Sequence, residues 1–349
     1  MTDETGFPSD APSSPEGVVL EFPDNRVAAA VFGPFNLHLA EIERGLGVKI
    51  DQRGNRLGIR GPELEVAAAL AALARLRERA QRGAPIEAGD VLGAIRFARE
   101  GDEVGEASGG SGGGRSSGRA EAVRTRKKLI EPRTPAQRAY LDLLGKKDLV
   151  FGMGPAGTGK TYLAVAAAVA AFLDRKVERV VFSRPAVEAG ERLGFLPGDM
   201  KEKVDPYLRP LYDSLHDMLP PEQVARNLES GAFEVAPLAF MRGRTLANAY
   251  VVLDEAQNCT VMQMKMFLTR LGENARMAVT GDPSQVDLPG GVESGLAHAV
   301  RLLENVEGVG VARFTGDDVV RHPLVARIVK AYDAEGARRS EARQPGLKS

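Results

Sequence analysis

Cysteine is almost absent from this chain: Cys259 stands alone among 349 residues. No disulfide can therefore close within it, which fits a reducing compartment and leaves stability to the packed core. Long apolar runs are missing too. No stretch approaches the ~20 residues that a membrane span needs. The first 17 residues are acidic and proline-rich and lack the basic and apolar regions of a signal peptide, so a cytoplasmic protein with no membrane partner is expected. Net charge is nearly nil: 46 Lys and Arg against 47 Asp and Glu give −1. The global balance thus decides nothing about nucleic acid, and local charge has to be read instead. What the chain does have is 43% hydrophobic residues, enough for sizeable cores, and a length that suits two domains.

Residues 1–17 offer almost nothing to bury and read as a disordered tail. A small α+β domain is expected over 18–100. Val18–Leu20 suggests a strand, and Leu37, Ile42 and Leu46 mark a short helix that ends near Gly47. Val48–Asp51 and Leu57–Arg60 read as strands joined by the turn Gln52–Asn55, and Pro62 opens a longer helix. This order resembles a KH-type nucleic-acid module, in which a GXXG loop clamps the backbone. The matching segment here, between the two early helical segments, is Gly33-Pro34-Phe35-Asn36, which lacks the second glycine; a protein-interaction domain is the other reading. Residues 101–120 are rich in glycine and serine and behave as a flexible linker. A larger domain follows over 121–335, then a short tail over 336–349. Its first stretch, Arg119–Lys147, carries nine Lys or Arg against three acids, which suits either a phosphate-contacting surface or a solvated face.

The chemistry is concentrated at three strand ends. Leu149–Met153 is a short apolar run followed by Gly154-Pro155-Ala156-Gly157-Thr158-Gly159-Lys160-Thr161, a full match to G-x-x-x-x-G-K-[ST]. An alanine-rich helical stretch, Tyr162–Leu173, comes next. Glycines let backbone N–H groups turn inward onto phosphates, the helix N-terminus adds positive potential, Lys160 pairs with the β- and γ-phosphates, and the Thr161 hydroxyl is a Mg²⁺ ligand. A second strand, Tyr250–Leu253, runs into Asp254 and Glu255. Two carboxylates at a strand end suit a metal site, with Asp254 on Mg²⁺ and Glu255 as the base that activates water. A third, Arg276–Thr280, leads to Gln285, a candidate γ-phosphate sensor. Upstream, the Gln137 amide can donate and accept, as reading an adenine edge requires. ATP and Mg²⁺ are the expected cofactors. Strand candidates at 149–153, 179–183, 233–236, 250–253, 276–280 and 309–314 alternate with helices and predict one parallel sheet covered on both faces.

From about Thr134 to Tyr332 the chain resembles the PhoH family. The residues that carry the likeness are GPAGTGKT (154–161), FSRPAVEAGERLGFLPGDMKEKVDPYLRPLYD (182–213), FMRGRT (240–245), VVLDEAQN (251–258), TGDPSQVDLP (280–289) and DVVRHPLV (318–325). With its KH-like leading unit it is similar to the YbeZ type within that family. The resemblance implies a RecA-like P-loop ATPase core related to superfamily 1 helicases. It also implies a role in RNA metabolism, single-stranded RNA as a ligand, and an endoribonuclease of the YbeY type as a partner. By the same likeness Arg184, Arg192, Lys201 and Lys203, in a glycine-containing loop after the second strand, are expected to contact nucleic acid.

One sheet uses essentially all of 121–335 and leaves no room for a second lobe. An arginine from a neighbouring subunit would complete the site, so a homo-oligomer such as a hexamer is expected, with Arg321 preferred over Arg242, Arg244 and Arg313 as the donor. Two other function classes compete. One is a nucleotide-gated interaction scaffold with slow turnover and no unwinding. The other is a kinase, against which Glu255 argues because an activated water competes with an acceptor hydroxyl. The four scattered histidines and Cys259 do not make a zinc site.

Overall fold

A computed structural model describes residues 17–99, 122–185 and 200–319, with the side chains of 200–207 outside that description. The chain divides into two compact units, Met1–Gly112 and Gly113–Ser349. No helix among the described residues is long and apolar enough to cross a membrane.

The first unit runs β1 (Val18–Glu21), α1 (Asn25–Phe32), α2 (Leu37–Leu46), β2 (Lys49–Arg53), β3 (Arg56–Arg60), α3 (Glu63–Gln81) and α4 (Ala88–Arg99). The strands form an antiparallel sheet in the order β1-β3-β2. Leu57 and Ile59, two apart on β3 and so on one face, are fully buried with Val31, Phe32, Ile42, Leu73 and Ile95 from the four helices. Asp24 caps α1 by accepting from the Arg26 N–H, and Gly47, left-handed at φ 71°, ends α2 as expected. The strand, two helices, two strands and helix follow the order that suggested a KH-like module; α4 was not anticipated.

The described part of the second unit starts with a short hairpin of two-residue strands, β4 (Val123–Arg124) and β5 (Leu129–Ile130), then α5 (Pro135–Lys146), β6 (Leu149–Met153), α6 (Lys160–Leu173), β7 (Arg179–Arg184), α7 (Met200–Met218) and α8 (Pro221–Glu229). It continues through β8 (Phe233–Pro237), β9 (Ala249–Leu253), α9 (Val261–Leu268), β10 (Arg276–Gly281), α10 (Gly295–Leu303) and β11 (Val309–Arg313). Six strands form one parallel sheet in the order β11-β6-β10-β9-β7-β8. All six strand candidates of the sequence lie in it. Both faces are covered. Val150, Val180, Phe182, Tyr250 and Val252 pack under α5, α6 and α7, whereas Phe151, Val181, Val251, Leu253 and Val279 pack under α9 and α10. The inner strands therefore read as unbroken apolar runs, because neither face meets water. Small residues at Ala164, Ala166, Ala168 and Ala171 of α6 are buried in the same core cluster.

Register places the site. Met153 pairs with Gly281, Val279 with Leu253, and Leu253 with Ser183. The carboxyl ends of β6, β10, β9 and β7 thus lie in a row, and Gly154, Asp282, Asp254 and Arg184 or its neighbours emerge along one edge. Ligands of open α/β sheets bind at that edge.

Candidate functional site

Between β6 and α6 the loop Gly154–Gly159 turns back on itself, with Gly154, Gly157 and Gly159 at φ 145°, 85° and 84°. Gly154 has no alternative residue: a Cβ there would sit 2.4 Å from the Phe314 carbonyl oxygen. Lys160 is buried, and its ammonium donates to the carbonyls of Gly154 at 2.6 Å and Pro155 at 2.8 Å. An internal cation thus spans the loop where phosphates would lie in a P-loop. Thr158 donates to Pro155 O at 3.0 Å and firms the same turn.

Thr161, at the start of α6, donates its hydroxyl to Asp254 Oδ1 at 2.7 Å. Thr280 of β10 donates to the same oxygen at 2.7 Å, and the Asp254 N–H is held by Ser183 O at 2.9 Å. Asp254 is 5% exposed. A hydroxyl and a carboxylate side by side are hard oxygen donors of the kind Mg²⁺ takes, so these residues fit that ion. Asp254, the residue after β9, thus meets Thr161 across 93 residues of chain.

Glu255 has left-handed backbone, φ 53° and ψ 36°, a conformation costing a non-glycine residue roughly 1–3 kcal/mol and often kept at functional sites. Its carboxylate pairs with Arg184 at 3.1 Å and accepts from Gln257 Nε2 at 2.6 Å. Asp282 is the other hub. Its Oδ2 accepts from the Ala156 N–H at 3.1 Å and Gln285 Nε2 at 2.5 Å, and its Oδ1 from the Ser284 N–H and hydroxyl. Burial alone would raise the Asp282 pKa, but the Ser284 and Gln285 hydrogen bonds and the Lys160 charge outweigh it and hold the carboxyl below its usual range. Gln285 thus reaches the P-loop through Asp282.

Several expectations change. Gln137 does not present its amide to a base. It is buried, donates to Thr158 O at 2.9 Å and accepts from the Arg133 N–H at 2.7 Å, so it braces the P-loop from behind. Arg184, expected on nucleic acid, pairs with Glu255, because the β7 end lies beside that of β9. Arg192 and Arg321 lie outside the described residues. Lys201 and Lys203 fall on α7, not in a loop, and their side chains lie outside the described set. Arg244 makes a two-pronged pair with Glu234 at 2.6 and 2.7 Å, Arg313 pairs at the surface with Glu304 at 2.7 Å, and Arg242 is exposed. Part of the basic run is engaged as well: Lys127 donates to His216 O, and Lys128 pairs with Asp217.

Burial pushes the Cys259 thiol up to about 12, so it is inert packing and no nucleophile. Among the described residues no group of three His, Cys, Asp or Glu could hold a metal. The reading of the residues missed Gln257, Asp282 and Thr280. Each sits within four residues of a strand end, and that position was the one available signal.

The model of the PhoH-like protein family matches residues 129–333. A PhoH-like protein of Bacillus subtilis is 48% identical over 318 residues, covering 90% of this chain and 96% of that one. A PhoH-like protein of Mycobacterium bovis is 58% identical over 207 residues, 59% of each chain. The protein PhoH of Escherichia coli K12 is 49% identical over 205 residues, 58% of each. Among solved structures, the SWI2/SNF2 ATPase core of Sulfolobus solfataricus in complex with dsDNA is similar at a TM-score of 0.34 and 15% identity. That match covers 64% of this chain and 56% of that one. A full P-loop whose threonine meets the β9 aspartate, on a doubly covered parallel sheet, and a family match over more than half of the chain lead to one conclusion: this chain belongs to the PhoH-like family of nucleotide-binding P-loop proteins.

Proposed function

We propose that the protein binds and hydrolyses ATP and couples that cycle to RNA. The observation that carries the hydrolysis reading is the 2.7 Å contact between Thr161 and Asp254, with Glu255 next in the chain. Mg²⁺, held by Thr161 and Asp254, would supply charge to offset that of the phosphates. Lys160, turned from the Gly154 and Pro155 carbonyls, pairs with the phosphate oxygens. Glu255 orients water and takes its proton, and Gln285 answers to the γ-phosphate beside Asp282. An ATPase assay on the wild type and Glu255→Gln, with and without single-stranded RNA, tests this. The variant should still bind nucleotide and lose about 100-fold or more in turnover. Equal turnover in the two proteins would overturn the role of Glu255.

The described sheet is a single core, which supports a homo-oligomer, such as a hexamer, in which Arg321 of a neighbour completes the site. Mixing Arg321→Ala with Lys160→Ala subunits should restore part of the activity; no rescue and no dependence on protein concentration would sink that arrangement. The RNA reading draws on family resemblance and on Arg192, Lys201 and Lys203, with an endoribonuclease of the YbeY type as partner. Strong stimulation of turnover by single-stranded RNA, weakening with salt, supports it. A nucleotide-gated scaffold is favoured instead if RNA leaves turnover unchanged.

A further inference from the structure

Both carboxylate oxygens of Glu255 are gripped: Oε1 by Arg184 at 3.1 Å and Oε2 by Gln257 Nε2 at 2.6 Å. Gln257 is 1% exposed, and its own Oε1 accepts from the Asp282 N–H at 3.0 Å. That bond fixes which end of the amide faces which neighbour, because a backbone N–H needs an acceptor and a carboxylate needs a donor. Ser294 donates to the Gln257 carbonyl at 2.9 Å and anchors the turn below it. Gly281 makes the approach possible, since a Cβ there would stand 2.7 Å from Gln257 Oε1. Asp282 in turn holds Ala156 N–H of the P-loop and Gln285. One buried amide therefore joins the acid turn, the β10 loop and the P-loop.

We infer that Gln257 is a positioning residue: it aims the Glu255 carboxylate and ties that aim to the Asp282 loop, and through Asp282 to the P-loop. The inference rests on the reading of Glu255 as the base. Only a neutral group with a donor at one end and an acceptor at the other satisfies both neighbours. A glutamate at 257 keeps an acceptor for Asp282 but sets a carboxylate against that of Glu255. A methionine fills the space and leaves the buried Asp282 N–H without a partner.

The experiment compares full-length wild type, Gln257→Met, Gln257→Glu and Glu255→Gln. It measures kcat and KM, affinity for a fluorescent non-hydrolysable ATP analogue, and hydrogen–deuterium exchange of the Asp282 amide. Gln257→Met should speed Asp282 exchange and lower kcat about 100-fold, as a misplacement near 1 Å does, while analogue affinity stays within about threefold. Gln257→Glu should keep Asp282 protected and still lose kcat, which separates aiming from scaffolding. If either variant turns over like wild type while Glu255→Gln is inactive, the inference is overturned and the hydrolysis reading stands. If both lose analogue affinity along with kcat, Gln257 is a prop of the P-loop and the inference also fails. An active Glu255→Gln would instead remove the reading on which it rests. Should Gln257→Met not fold, the Gln257→Glu outcome decides.

Discussion

Two loops in this molecule open with a glycine and lead into a helix, yet they solve the same backbone problem differently. In Gly154–Thr161 the left-handed positions at 154, 157 and 159 are all glycines. In Gly33–Asn36 the turn starts with Gly33 at φ 73°, but Phe35 at 51° and Asn36 at 61° carry side chains through the same region. The first loop keeps its backbone bare for a ligand to approach. The second presents side chains: Phe35 is 99% exposed, and Asn36 Nδ2 donates to Gln52 on β2 at 2.9 Å. Asparagine tolerates left-handed backbone, so the turn persists without its second glycine. A shared conformation therefore does not imply a shared surface.

The comparison can be broken most sharply at Gly154. Gly154→Ala should cost about 3 kcal/mol of stability and abolish nucleotide binding, because the new methyl meets the Phe314 carbonyl; urea unfolding and analogue titration read both. In the first unit, Asn36→Ala should cost about 1 kcal/mol, since alanine tolerates the left-handed position less well and the Gln52 bond is lost. Phe35→Gly should do the reverse and stabilise by about 1 kcal/mol, with no effect on nucleotide affinity. A destabilised Phe35→Gly would mean that this exposed ring has packing partners. The smallest effect lies away from both loops. The Arg244 hydrogen bond holds the Glu234 carboxyl below its usual range. Its contribution is thus present above the unfolded carboxylate pKa and is lost as pH falls through the folded one, below about pH 4. Glu234→Gln should remove that acid-side loss, less than about 1 kcal/mol, from a plot of melting temperature against pH.

What could be read from the residues follows the same division. Leu149–Met153 and the glycines after it announce themselves because strand, turn and helix preferences are local. The apolar runs of β7, β9 and β10 were legible because both sheet faces exclude water. The helix α4 was not anticipated, although its Val91, Ala94 and Ile95 face the core at helical spacing. Gln137 has the chemistry to read a base, and only the packing of α5 behind the P-loop turns its amide onto Thr158. Arg184 looked like a phosphate ligand until strand order placed it beside Glu255. Pairings set by which strand ends are neighbours leave no periodic trace along the chain.

The strand order carries one more implication. β10 is wedged between the strand of the lysine loop and that of the acids, so those two never touch directly. It acts as a shim whose thickness sets the gap, with Thr280 pinning Asp254 on one flank and Gly281 O receiving the Gly154 N–H on the other. A single residue inserted in β10 would swing Thr280 to the opposite face and disconnect both flanks at once, while every other strand kept its place.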